Sequence, residues 1–316
     1  MRAVSGEEIE RLLDYPYLVE AIRAAFAGAV AAPPRHHHRI PRPDAAEATL
    51  ILMPAWQEVA AEADGGGFMG VKMVTIFPDN ALRRKASVLA TYVLMAGDSG
   101  EALATMDGEV LTLWRTAASS ALAASVLARA DASHLAVIGA GALAPRLIAA
   151  HAAVRPIRRV TIWNRTPERA LALAAALNRP GLTVTASHDR EAAITQADIV
   201  SVATLAQAPL VRGSWLKPGT HVDLVGSYTP EMREADDDAI RRARIFVDTR
   251  PGMRESGDIS EPLATGIISE KDIAGDLFEI ARGSVGRRSD DEITLFKSVG
   301  HAIEDLAAAI AVWRRL

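Results

Sequence analysis

The sequence predicts an α/β fold class, with a Rossmann-type doubly wound domain joined to an α+β domain. Three observations carry this. The apolar run Leu135–Ile138 leads into Gly139-Ala140-Gly141-Ala142-Leu143-Ala144 and then into residues at helical spacing (Leu147, Ile148, His151), which is the order strand, glycine turn, helix. Beyond residue 135, short apolar runs keep alternating with helical segments, the pattern of a parallel sheet wrapped by helices. Between Arg35 and about Met95 the apolar runs follow one another with only turn residues between them, so that region reads as a mostly antiparallel sheet.

In chain order, Ile9, Leu12 and Leu13, then Leu18, Ile22 and Phe26, predict two short helices within residues 5–30, broken near Pro16. Pro33 and Pro34 close that region. Strands are expected in Ala48–Met53, Met69–Phe77 and Ser87–Met95, with turns at Asp64-Gly65-Gly66-Gly67 and Pro78-Asp79-Asn80. Leu111–Leu127, rich in alanine, reads as a long helix. Parallel strands are expected at 135–139, 159–163, 182–185, 198–202, 221–225 and 244–248, and helices at 143–153, 167–177, 189–195 and 234–241. The run Leu295–Arg314 has apolar residues at helical spacing and is expected to return to the first domain. The expected domains are 1–118 with 300–316, and 119–299.

At 316 residues, 49% hydrophobic, with a formal net charge of −4, the chain can build two cores. No basic block accompanies the mild acidity, which argues against nucleic acid as a partner. No stretch of about 18 to 20 uncharged apolar residues suggests a membrane span. With no cysteine and an acidic, non-apolar start, the expectation is a cytoplasmic protein without disulfides or thiolate metal sites.

The glycine turn implies a dinucleotide. Gly139 lets the chain leave the strand sharply, Gly141 lets backbone N–H groups approach a pyrophosphate, and Ala144 is small enough for close helix packing. Ala142 and Leu143 complete the turn into a helix N-terminus, where phosphate is favoured. At the end of the second strand stands Asn164 rather than an acid, followed by Arg165 and Thr166. A neutral side chain, a guanidinium and a hydroxyl suit a 2′-phosphate, so the expected cofactor is NADPH (NADP+), with NADH accepted less well.

Arg35, Lys72 and Arg115 stand among apolar residues, where cations need anionic partners or water. Lys72, within Gly70-Val71-Lys72-Met73-Val74-Thr75, is expected to project into a cleft. In His36-His37-His38 neighbouring side chains face opposite sides of a strand, so no metal is expected there, and a histidine beside Arg35 is read as lining the cleft. Glu234-Ala235-Asp236-Asp237-Asp238 reads as a solvated helix start, and Trp56 and Trp163 as packing residues, with Trp163 able to border an adenine.

Five motifs in one order resemble the ornithine cyclodeaminase/μ-crystallin family. They are Gly70–Asn80 (GVKMVTIFPDN), Arg115-Thr116-Ala117-Ala118, the turn at 139–144, Ile162–Thr166 (IWNRT), and Phe296–Gly300 (FKSVG) followed by Glu304-Asp305. The resemblance covers about residues 35–310. It implies a substrate and dimerisation domain built from the N-terminal part and the C-terminal helix, a Rossmann domain between them, and homodimers. It further implies that Lys72 is catalytic, and that Arg35 and Arg115 hold a substrate carboxylate, with Arg39 a rival for Arg35. By the same resemblance Ser87 replaces a substrate-site threonine, and Thr116 and Lys297 lie near the cofactor.

One departure bears on the reaction. The family's cyclodeaminases carry Gly-Asp after the strand that corresponds to Val222–Gly226, whereas this chain has Gly226-Ser227-Tyr228-Thr229-Pro230. Without a carboxylate at Tyr228 the proton acceptor for deamination is missing. The resemblance then implies a ketimine reductase that converts Δ1-pyrroline-2-carboxylate to L-proline, with Δ1-piperideine-2-carboxylate to L-pipecolate as a second reaction. The alternatives are ornithine cyclodeamination, an alanine dehydrogenase that needs ammonia, and a non-catalytic NADPH-dependent binder of small ligands.

Overall fold

Residues 1–58 and 66–316 are described by the computed structural model, and they divide into two units, Met1–Arg115 with His301–Leu316 and Thr116–Gly300. The Asp64-Gly65 part of the expected turn lies outside the described residues.

In the first unit, β1 (Arg2–Val4) leads to α1 (Gly6–Leu12), which starts on a Ser5/Glu8 capping box. Asp14 then caps α2 (Tyr15–Ala27) and places Pro16 in its first turn, where the absent N–H has no partner to lose. Six further strands follow: β2 (Val30–Ala31), β3 (His36–Ile40), β4 (Ala48–Gln57), β5 (Phe68–Ile76), β6 (Val88–Ala96) and β7 (Ala102–Asp107). They form one sheet in the order β1-β7-β6-β5-β4-β2, with β3 also on β4, antiparallel except for β1 on β7. The register aligns Met53, Lys72, Tyr92 and Met106 in one row, and all four are buried on the face covered by the C-terminal helix Ala302–Trp313. Residues one place along point the other way: Leu52, Trp56, Val71, Met73, Val93 and Met95 are half-buried or exposed. Trp56, expected to pack, is thus exposed, because it lies on the face that this unit leaves uncovered.

The long helix α3 (Gly108–Leu127) starts three residues before the expected Leu111 and runs from the first unit into the second. It is long and apolar enough to be weighed as a membrane span, but 67% of the stretch is buried inside the protein, as in a core helix.

The second unit alternates as expected: β8 (His134–Ile138), α4 (Ala144–Val154), β9 (Arg159–Trp163), α5 (Pro167–Leu177), β10 (Thr183–Ala186), α6 (Arg190–Gln196), β11 (Ile199–Val202), β12 (His221–Leu224), α7 (Asp237–Arg242), β13 (Arg244–Val247). Then come α8 (Gly257–Ala264), β14 (Ile273–Asp276), α9 (Leu277–Ala281) and β15 (Thr294–Lys297). All eight strands pair in parallel, in the order β10-β9-β8-β11-β12-β15-β13-β14. The expectation of one helix over Leu295–Arg314 is corrected: β15 is inserted between β12 and β13, Gly300 turns the chain with φ +84°, and the helix begins at Ala302. A short apolar run fits a buried strand and a buried helix equally well, and only pairing decides. In the core of this unit Asp223 accepts from Ser120 Oγ at 2.9 Å and Ser201 Oγ at 2.6 Å and meets His151 Nε2 at 3.2 Å.

Candidate active site

In the first unit, β5 directs Lys72 onto the covered face, where Nζ donates to Asp305 Oδ1 at 2.8 Å and to Thr112 Oγ1 at 3.3 Å. Arg115 donates through Nε to the same Asp305 oxygen at 3.0 Å and through NH1 to Glu304 Oε2 at 2.7 Å. The two acids stand in the first turn of the C-terminal helix, where the helix dipole favours carboxylates. All four side chains are buried, so two cations and two carboxylates cancel one another away from solvent.

The two cations differ in character. Burial and the neighbouring Arg115 charge lower Lys72 to about 8, against the pull of Asp305 and Glu304. Burial also works against Arg115, but Asp305 and Glu304 more than offset it, so its guanidinium stays protonated. The site therefore holds one proton that can be exchanged near neutral pH and one fixed charge. Tyr92 Oη and Asp305 Oδ2 are buried and bond no described residue, which fits a small polar ligand, since buried polar atoms are rarely left unsatisfied. Burial, then Asp305, raises Tyr92 well above its ordinary range, so it is a neutral phenol that can donate. Gly70 makes room for it: a Cβ there would lie 2.3 Å from Tyr92 Oη.

The other expected substrate residues lie at the margin of this unit. Arg35 is half-buried, one residue before the β3 position paired with Leu52, and so next to the row that holds Met53 and Lys72. Arg39 is exposed and reaches Glu47 at 3.8 Å. Ser87 is half-buried and lies 3.5 Å from Pro78 O. The histidine triplet is exposed on β3.

In the second unit, Gly139 has φ +118°, and a Cβ there would lie 2.6 Å from Ala203 O in the loop after β11. A Cβ at Gly141 would meet nothing within 4 Å. The first turn of α4 receives no side-chain cap from Leu143, which leaves its N–H groups available to an anion. These features border a cavity of about 360 Å³ lined by Gly139, Gly141, Asn164, Arg165, Arg169 and Thr204, among others. Open space at a glycine turn, an uncapped helix start and two guanidinium groups fit a dinucleotide. Asn164 itself is engaged by protein: Oδ1 accepts from Ala140 N at 3.1 Å, and Nδ2 donates to Thr166 O at 2.9 Å. Arg165 and Thr166 are exposed, as is Ala142, while Leu143 and Thr116 are half-buried. Lys297 is fully buried, donates to Leu224 O at 3.2 Å and lies 3.5 Å from Asp258 Oδ2, so within this unit it serves an internal charge cluster.

A model of the ornithine cyclodeaminase/mu-crystallin family matches residues 2–316. The chain belongs to that family. A relative in Paracoccus denitrificans named Δ1-pyrroline-2-carboxylate reductase is 41% identical over 269 residues, covering 84% of this chain and 83% of its own. The solved Thermococcus litoralis Δ1-pyrroline-2-carboxylate reductase, in complex with NADH and L-proline, is 33% identical with TM-score 0.90, covering 100% of this chain and 97% of that one. An archaeal alanine dehydrogenase dimer with bound NAD has TM-score 0.90 at 28% identity, covering 100% of this chain and 95% of that one.

Several residues at these sites escaped the sequence reading. Glu304 and Asp305 were visible as part of a family motif but not as partners of Lys72 and Arg115, and Tyr92 and Thr112 had no local signal at all. Arg169 could have been found, since it lies in the first turn of a predicted helix that follows directly on Arg165 and Thr166. Glu234, read as a solvated helix start, is fully buried: α7 begins only at Asp237, capped by Asp236, and Glu234 bonds the loops after β11 and β12.

Proposed function

We propose that this protein reduces a cyclic imino acid, Δ1-pyrroline-2-carboxylate, to L-proline, and accepts the six-membered Δ1-piperideine-2-carboxylate to give L-pipecolate. The observation that carries this reading is the buried quartet of Lys72, Arg115, Glu304 and Asp305. A neutral set of two cations and two carboxylates matches a protonated imino acid, which bears one charge of each sign. Arg115 and Lys72 take the carboxylate, with Arg35 as a further guanidinium, and Asp305 Oδ2 faces the iminium N–H. A bound dihydronicotinamide supplies the hydride. Hydride addition to the iminium carbon leaves a neutral amine, and Lys72, titrating at about 8, donates the proton that turns it into the ammonium of the product and recovers one from solvent. Asp305 fixes the direction of that ammonium through its 2.8 Å bond.

NADPH is the preferred cofactor in this reading, because Arg165 and Arg169 both border the dinucleotide cavity and would pair with a 2′-phosphate. The similar structures, which hold NADH or NAD, support a nicotinamide cofactor. We further propose a homodimer formed through the apolar sheet face of Leu52, Trp56, Val71, Met73, Val93 and Met95, since a contiguous apolar face of this kind marks an interface.

The test is consumption of NADPH and of NADH by the purified protein with Δ1-pyrroline-2-carboxylate, with proline measured as product. Parallel assays supply pyruvate with ammonia, and ornithine with NAD. Reduction of pyruvate only when ammonia is present would replace this reading with alanine dehydrogenase, which the similarity in fold to the archaeal enzyme keeps in view. Ammonia released from ornithine would overturn the weight placed on Tyr228.

A further inference from the structure

We infer that Glu234 is a positioning residue for the dinucleotide: its buried carboxylate ties the loop after β11 to the loop after β12 and so holds the Thr204 wall of the cofactor cavity in place. The inference rests on the dinucleotide reading of that cavity. Oε1 accepts from Thr204 N at 2.8 Å and from Thr204 Oγ1 at 2.9 Å, while Oε2 accepts from Gly226 N at 2.8 Å and Ser227 N at 3.2 Å. One side chain thus uses both oxygens to join two loops at the carboxyl ends of adjacent parallel strands, the edge at which open α/β sheets bind ligands.

The residues it holds are cavity residues. Ala203, Thr204, Ala206 and Leu210 line the same cavity as the glycine turn, and Ala203 O lies where a Cβ on Gly139 would collide with it. The backbone of Glu234 is itself fixed, since its N–H donates to Asp258 Oδ1 at 2.7 Å and its carbonyl accepts from Leu210 N at 2.8 Å. Lys297, 3.5 Å from Asp258, supplies positive charge to the cluster. A close approach adds to the constraint: a Cβ at Gly226 would lie 2.1 Å from Thr204 O, so the two loops touch through backbone and have no slack.

Glutamine cannot replace this carboxylate although it fills the same volume. Three of the four donors are backbone N–H groups that cannot become acceptors, and a carboxamide would turn its own N–H2 toward one loop. That loop must then move. Aspartate keeps the charge but is one methylene too short to reach both loops.

The experiment measures NADH and NADPH affinity by calorimetry, together with thermal unfolding, for wild type, Glu234→Gln, Glu234→Asp and the control Asp223→Asn. Asp223 is an equally buried acid of the same unit whose bonds to Ser120 and Ser201 lie inside the core. The expected result is at least tenfold weaker dinucleotide binding by folded Glu234→Gln, an intermediate loss for Glu234→Asp, and a lower melting temperature with affinity within twofold for Asp223→Asn. Affinity within twofold of wild type for Glu234→Gln overturns the inference, as does a loss of affinity in Asp223→Asn that matches it. If neither Glu234 variant folds, the residue is structural and the inference falls. A wild type that binds neither dinucleotide overturns the underlying reading instead, and the inference with it.

Discussion

Lys72→Met removes the ammonium from the buried quartet and nearly keeps the side-chain length, so it separates charge from packing. An ordinary lysine titrates at 10.5, and Lys72 in the folded protein at about 8, chiefly through burial. At about 1.4 kcal/mol for each pH unit, holding this nearly fully buried lysine charged below pH 8 costs roughly 3 kcal/mol of folding free energy. Because the folded value lies below the unfolded one, the unfolded chain binds more protons between pH 8 and 10.5, and stability rises with pH across that window. Lys72→Met lacks this titration. Urea unfolding of both proteins from pH 7.5 to 10.5 should show wild type gaining roughly 3 kcal/mol relative to the variant, while shared titrations cancel. Turnover should respond in the opposite sense, because the protonated lysine is the donor. Wild-type reduction should fall about tenfold per pH unit above pH 8, and Lys72→Met should lose turnover by about 10²- to 10⁴-fold with cofactor affinity nearly unchanged. Parallel stability curves would show that Lys72 is not strained by burial, and equal losses of turnover and of cofactor affinity would remove its chemical role.

Three further outcomes are expected. Replacing Arg165 and Arg169 together with alanine should weaken NADPH binding by about tenfold or more and leave NADH within about threefold, since only the former carries the 2′-phosphate; equal effects on both would refute the assignment. Gly139→Ala imposes φ +118° on a residue with a Cβ 2.6 Å from Ala203 O, so it should cost roughly 1–3 kcal/mol in denaturant unfolding and abolish dinucleotide binding; a stable variant that binds normally would contradict the geometry. Trp56→Asp combined with Met73→Asp should convert a dimer to a folded monomer in light scattering, and an unchanged mass would move the interface elsewhere.

Much of the second unit was legible because its signals are local. A glycine that must adopt φ +118° and strands separated by amphipathic helices are written in neighbouring residues, and strand and helix positions fell within a residue or two through residue 202. Further along, the reading failed where neighbours do not decide: the helix expected from residue 234 begins at Asp237, and α8, β14 and α9 were not anticipated. Thr294–Lys297 is apolar enough for a helix or a strand, and it becomes β15 because β12 and β13 present unpaired edges on either side of it.

The sequence by itself therefore determined the fold class, the glycine turn after β8 and the two unusual cations, Lys72 and Arg115, since a charge within an apolar run announces that it needs a partner. The identity of that partner was decided only by tertiary structure: Asp305 lies 233 residues from Lys72 and 190 from Arg115, and it reaches them because the C-terminal helix returns to the first sheet. Glu234 shows the same limit from the other side. An acid just before a helix has one sequence signature whether it meets water or four hydrogen-bond donors, and what it meets is set by the packing of two strand ends and α8 around it.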